Sequence, residues 1–146
     1  MGLFHVATDE EIKRGETTDI YFSRTKEVIE AKKLGRLRAL AEVTPGKLPN
    51  EWPWGILCGI EEEARLFEGC PVDVYAMPEG SVFYYTDHRG VREPVMFIEG
   101  PYGEYCLLET PLLGLICQAS GVATRAARIK KVAGEKFVMA FGIRRM

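Results

Sequence analysis

Three short stretches hold residue types and spacings from which chemistry could be built. The first is FGIRR, running from Phe141 to Arg145, where an apolar run gives way to glycine and paired arginines. Phe141 offers a flat face for stacking. Gly142 lets the backbone turn and approach a ligand closely. Arg144 and Arg145 offer fixed positive charge in forks that fit carboxylate or phosphate. Together these residues suit a small planar anion carried alongside phosphate. Paired arginines are also common as solvated loop residues, and the residue types alone leave both readings open. The second stretch is TTDIY, in which Tyr21 stands near Thr18 and Asp19 at the start of a weakly amphipathic helix. Taken by themselves, these residues read as a tyrosine packed on a helix flank and an aspartate acting as cap. The third is SGVAT, Ser120 to Thr124, a candidate phosphate-binding turn at a helix N-terminus. It lacks the glycines of a P-loop or dinucleotide fingerprint, and a Ser-Gly cap between two helices fits it equally well.

Other chemistry finds little support. Glu61, Glu62 and Glu63 form a charge run that reads as a solvated helix face. The four cysteines, Cys58, Cys70, Cys106 and Cys117, include no CxxC pair, and only His5 and His88 could join them. Free buried thiols in a reducing cytoplasm are expected rather than a metal site or disulfides. Two histidines in unrelated segments assemble no Ser-His-Asp or Cys-His arrangement. A formal net charge of −2 gives no bulk attraction to nucleic acid or an anionic membrane. The sequence predicts no apolar run of membrane-span length, and the first fifteen residues lack a signal-peptide layout. Gly2 could suggest myristoylation, but Val6 stands where that motif prefers Ser or Thr. A single Asn, Asn50, and a single Gln, Gln118, lean toward a thermophilic source.

The elements that must position these residues can be read from periodicity. TDEEIKRG predicts a short helix capped by Thr8 or Asp9, and TTDIYFSRTKEVIEAKKLG a longer surface helix stopped by Gly35. RLRALAEVT alternates with period two, placing Leu37, Ala39, Ala41 and Val43 on one face of a half-buried strand. PGKLPNEWPWG is turn-rich, GILCG reads as a short strand, and IEEEARLFEG as a compact helix ending at Gly69. PVDVYAMPEGSVFYY, the turn TDHRG and REPVMFIEGPYG form a strand-rich stretch. After about Gly103 the character changes. EYCLLETPLLGLICQAS predicts a buried helix kinked at Pro111. GVATRAARIKKVAG predicts a second helix, with Val122, Ala126 and Ile129 inward and Arg125, Arg128, Lys130 and Lys131 in water. KFVMAF shows no alternation and predicts a strand covered on both faces. The expected fold is therefore an α+β domain over 1–103, followed over 104–146 by the first helices and first strand of an incomplete α/β barrel. Ligands of such barrels bind at the C-terminal ends of strands, which is where FGIRR falls.

Two resemblances bear on this pattern. EGSVFYY with EPVMFIEGPYGE has the cadence of compact β modules that resemble lipoyl or biotinyl domains, giving a barrel-sandwich-like module. No Met-Lys-Met or Asp-Lys-Ala turn is present, so scaffold is expected rather than carrier. More specifically, TDIYF, then EPVMFIEGPYGEYCLLETPLLGLICQASGVATRAARI, then FGIRR, in this order, resemble nicotinate phosphoribosyltransferase of the compact archaeal type. The similarity runs from about Thr18 to the last residue. These enzymes are type II phosphoribosyltransferases, like the quinolinate and nicotinamide enzymes. They join nicotinate to phosphoribosyl pyrophosphate with Mg²⁺, many with coupled ATP hydrolysis.

The resemblance implies that Phe141 stacks on the pyridine ring at the end of the first barrel strand. It implies that Arg144 faces the nicotinate carboxylate or a phosphate, with Arg145 on the phosphate side. Tyr21 would stack on the ring's other face in the partner subunit's site, with Asp19 near the same base, because family members are head-to-tail homodimers. It also implies longer chains, in which a His-Pro segment and the rest of the barrel follow FGxRR and carry the catalytic groups. On that reading these 146 residues are part of an enzyme and inactive alone. The quinolinate enzymes carry a TRKTxPG-like element that FGIRRM does not match. A non-catalytic dimerisation or binding module is the alternative from another class.

Overall fold

The computed structural model describes residues 7–142. Local sequence signals account for its first elements. Thr8 starts helix α1 (Asp9–Lys13) through a reciprocal capping box, its hydroxyl accepting from the Glu11 N–H and its own N–H donating to the Glu11 carboxylate. Helix α2 (Ile20–Ala31) follows Asp19 and buries only Ile29. Strand β1 (Arg38–Val43) shows the expected alternation, with Ala39, Ala41 and Val43 toward the core and Arg38, Leu40 and Glu42 outward, but Leu37 precedes the strand and is exposed.

β2 (Trp54–Ile56) begins and ends earlier than GILCG predicts, and helix α3 (Ile60–Leu66) follows. Three more strands follow: β3 (Asp73–Ala76), β4 (Val82–Tyr84) and β5 (Met96–Pro101). They form two antiparallel sheets, of order β1-β5-β3 and β2-β4. β5 is central, Met96 pairing with Val43 on one side and Ala76 on the other. A single turn α4 (Tyr102–Tyr105) and a 3-10 turn at Cys106–Leu108 lead into helix α5 (Glu109–Ala133). Leu57, Leu66, Met96, Ile98, Tyr105, Leu112 and Ile116 make the core, where sheet, α3 and the first half of α5 meet.

α5 corrects three expectations. It is one helix of 25 residues, not two. Pro111 lies in its first turn, where backbone N–H groups have no partner within the helix, so it causes no break. SGVAT consequently sits mid-helix and offers no helix N-terminus to a phosphate. The inward face is also different: Val122, Ala126 and Ile129 are exposed, whereas Ser120 and Thr124 are buried and Arg128 half-buried. The helix lies along the open edge of β2, whose backbone groups need hydrogen-bonding side chains that Val and Ile cannot supply.

KFVMAF is corrected as well. Residues 137–142 form neither helix nor strand, and Phe137, Met139 and Phe141 are exposed. A strand requires neighbours for its N–H and C=O groups, and none of the described residues pairs with this segment. The helical stretch Tyr102–Ala133 is, against expectation, long and apolar enough to cross a membrane by length and composition alone. In this fold its first half instead packs on the core just described.

Gly59 lets α3 and α5 approach. Its φ of +101° belongs to glycine, and a Cβ there would meet Ile116 Cα and Leu115 O at 3.2 Å. Gly59→Ala is expected to destabilise the chain by roughly 2–3 kcal/mol, read by urea unfolding. An unchanged midpoint would mean that the contact is slack.

Candidate functional site

The Tyr21 end is assembled by α2 and the start of α5. Asp19 occupies the α2 cap position, yet its side chain makes no capping bond. Its backbone N–H instead donates to Thr110 Oγ1 at 3.0 Å, and the Thr18 hydroxyl lies 3.4 Å from the same oxygen. Further along α2, Lys26 Nζ donates to the Gly103 carbonyl. These ties fix α2 against α4 and the N-terminus of α5. Tyr21, in the first turn, is 73% exposed and free to present its ring outward rather than packing on the helix flank. Thr110 was not foreseen as a site residue; a threonine two residues into a helix carries no spacing signal of its own.

The Phe141 end lies elsewhere. Phe141 is 89% exposed and Gly142 is exposed beside it, whereas Arg144 and Arg145 lie outside the described residues. Phe141 follows the C-terminus of α5, while Asp19 is tied near its N-terminus. At 1.5 Å per residue the 25 residues of α5 span about 37 Å. The structure ties Asp19, and with it Tyr21, near the N-terminus of α5, whereas Phe141 and Gly142 follow its C-terminus in sequence.

Between these ends, α5 is pinned to β2 by a repeating contact. The Ile56 N–H donates to Thr124 Oγ1 at 2.8 Å. Ser120 Oγ accepts from the Cys58 N–H and donates to the Cys58 carbonyl, both at 3.0 Å. Arg128 Nη2 donates to the Trp54 carbonyl at 2.9 Å. Residues four apart on the helix thus meet residues two apart on the extended chain. The match is geometric: four helical residues rise about 6 Å and two extended residues about 6.7 Å. Arg128, expected in water, has its guanidinium 4.2 Å from the ring centroids of both Trp52 and Trp54. Arg125 lies over Trp52 at 5.4 Å and Lys131 over Trp54 at 5.6 Å.

Two titratable features differ from expectation. Glu63 is no solvated charge: it is fully buried, and neither carboxylate oxygen has a hydrogen-bond partner. Burial first, and the neighbouring Glu62 charge second, push its pKa up to about 8. All four cysteines are free, and Cys117 is exposed rather than buried. Burial raises the pKa of Cys58, Cys70 and Cys106, which disfavours their nucleophilic thiolates. Tyr102 donates to the Glu109 carboxylate, and burial together with that bond holds its phenol above the ordinary range.

Comparison with known proteins follows this architecture. Residues 19–120 match the family model described as quinolinate phosphoribosyl transferase, N-terminal domain. Nicotinate phosphoribosyltransferase 2 of Arabidopsis thaliana is 51% identical over 75 residues, which are 51% of this chain and 12% of that protein. The crystal structure of nicotinate-nucleotide pyrophosphorylase from Pyrococcus furiosus superposes with a TM-score of 0.90 at 52% identity, covering 100% of this chain and 36% of that one. Human nicotinic acid phosphoribosyltransferase gives a TM-score of 0.70 at 27% identity, covering 88% of this chain and 31% of that one. The matched stretch thus spans about an eighth of the curated relative, and the superposed chain about a third of the solved ones. The match across 19–120, from the Asp19 tie through the first half of α5, places this chain in the quinolinate phosphoribosyl transferase N-terminal domain family.

Proposed function

We propose that the chain is the N-terminal part of a nicotinate phosphoribosyltransferase, an enzyme joining nicotinate to phosphoribosyl pyrophosphate to give nicotinate mononucleotide and pyrophosphate in NAD biosynthesis. The observation that carries this reading is the identity to a relative named for that activity. The quinolinate name of the family model favours a second reading, a quinolinate-using enzyme. Against it stands the sequence FGIRRM, which lacks the TRKTxPG-like element of those enzymes.

On the proposed reading, Phe141 and Tyr21 present exposed rings to opposite faces of the pyridine, and Arg144 and Arg145 answer its carboxylate and the sugar phosphates. Two flat faces hold an electron-poor ring by stacking, worth about 0.5–1.5 kcal/mol each. A charge-assisted bond to the carboxylate adds orientation. Departure of pyrophosphate leaves an oxocarbenium-like sugar, so the rate comes from positioning and electrostatics. The same reading includes a homodimer in which each copy lends Tyr21 and Asp19 to the other's Phe141. The division at residue 103 belongs to the same proposal, with 104–146 opening a barrel domain and a barrel-sandwich-like β module before it. So does a cytoplasmic setting without nucleic-acid or membrane partners. Mg²⁺ and, in many relatives, ATP belong to the implied reaction. Among the described residues no three His, Cys, Asp or Glu could hold a metal, so no step is routed through either.

The test uses the complete enzyme carrying this N-terminal part. Tyr21→Ala and Phe141→Ala are each expected to weaken nicotinate binding about tenfold with unchanged circular dichroism, the loss of roughly one stacking face. At sub-saturating nicotinate, mixing the two weakened variants should restore part of the turnover if sites are shared between copies. Unaltered nicotinate affinity in both variants would overturn the reading.

A further inference from the structure

We propose that the pocket between the β1–β2 connection and the middle of α5 is a binding site for a small, uncharged, planar molecule of about the size of indole with one hydrogen-bonding group. The pocket has a volume of about 300 Å³, the lower end of the range of small-molecule sites. Its walls include Thr44 and Trp52 from the connection, Phe83 from β4, and Leu113, Cys117 and Gly121 from α5. The residues that form the Tyr21 and Phe141 ends take no part in it, so the proposal is independent of the nicotinate reading.

The walls are held in place by contacts already described. Trp52 is held by Arg128 and Arg125, 4.2 and 5.4 Å from its ring centroid. α5 is fixed by the bonds of Thr124 to Ile56 of β2 and of Ser120 to Cys58 just beyond it, and Val43, another wall residue, by its pairing with Met96. A site assembled this way needs little ordering when a ligand enters.

The chemistry of the walls selects the ligand. No lining residue carries a charge, so an anion or cation would lose its hydration without compensation. That excludes pyridine carboxylates and sugar phosphates from this pocket. Two aromatic rings, Trp52 and Phe83, favour a planar partner through stacked or edge contacts. Ser120 and Thr124 spend their hydroxyls on the backbone of Cys58 and Ile56. Thr44 Oγ1, Cys117 Sγ and the Trp52 indole N–H remain as the wall's hydrogen-bonding side-chain atoms without a protein partner among the described residues, so a ligand with a polar group able to donate or accept is favoured.

The experiment reads the exposed Cys117 in the 146-residue chain by its rate of alkylation with N-ethylmaleimide, resolved peptide by peptide by mass spectrometry. Saturating 2-naphthol or indole is expected to slow Cys117 at least about fivefold while leaving Cys70 unchanged. The anion 2-naphthoate, of similar shape, should require at least about tenfold higher concentration. Gly121→Leu fills the pocket from an exposed helical position where a Cβ meets nothing within 4 Å, and should abolish the protection without lowering Tm. Leu113→Glu, at the half-exposed rim, is the second variant and should weaken protection at least about fivefold. The proposal is overturned by no protection up to the solubility limit of the probes, by equal protection from 2-naphthoate, or by equal protection in either variant. Protection that grows with protein concentration in the absence of probe also overturns it, since another copy then covers the pocket.

Discussion

Glu63→Gln is expected to stabilise the chain by roughly 3–5 kcal/mol at pH 9 and by less than about 1 kcal/mol at pH 4. The cause is a carboxyl fully buried between α3 and the core with no partner for either oxygen. Its pKa rises from the ordinary 4.5 to about 8, so the folded chain holds this proton more tightly than the unfolded chain. Stability from the protonated form is fully present below the unfolded pKa of 4.5. It drains as pH rises toward 8 and levels off beyond, where the native state must either carry an uncompensated buried charge or open. Glutamine keeps the shape and removes the ionisation. The measurement is urea unfolding of wild type and variant between pH 4 and 9, the difference between the two curves isolating Glu63 from other groups. A difference independent of pH would show that the carboxylate finds water or a cation when it ionises.

Arg128→Ala is expected to cost about 2–4 kcal/mol, unusually much for a half-exposed helical arginine. It removes a charge-assisted bond to the Trp54 carbonyl, about 1.5–3 kcal/mol, and cation–π contact with two indoles, about 0.5–2 kcal/mol. Lysine should restore only a minor part, because an ammonium cannot lie flat between two rings while donating sideways to a carbonyl. Trp52 and Trp54 are the two tryptophans of the chain, so near-ultraviolet circular dichroism reports this contact directly. Its tryptophan bands should collapse in Arg128→Ala while the far-ultraviolet spectrum holds. Thr124→Val, which orphans the Ile56 N–H, should cost about 1–3 kcal/mol and couple to Arg128→Ala in a double-mutant cycle. Additive losses would mean that the contacts along α5 act separately.

The parts of the fold legible in the sequence are those governed by neighbours in the chain. Thr8 and Glu11 announce α1 because a capping box is complete within four residues. β1 is visible because one of its faces is wet, leaving a period of two. α5 misled for the opposite reason. Its register is set by β2, more than sixty residues earlier, and the residues needed there, Ser120, Thr124 and Arg128, are ones that a hydropathy reading assigns to water. Glu63 was lost among Glu61 and Glu62, since composition cannot tell which member of a charge run turns inward. Of the candidate site, Tyr21 and Phe141 were identified by a likeness to relatives, and their exposure suits ligand contact. The tie of Asp19 to Thr110 was not legible, because it joins residues 91 apart in the chain.

The pinning of β2 by α5 also sets an order of events during synthesis. Ile56 emerges 68 residues ahead of the threonine that satisfies it. Until α5 has been made, the outer edge of β2 offers unpaired N–H and C=O groups, a template for strands of other chains. Folding of the β2–β4 sheet must therefore wait for the last fifth of the chain. Truncation before Ser120 should yield a product that aggregates rather than a smaller stable domain.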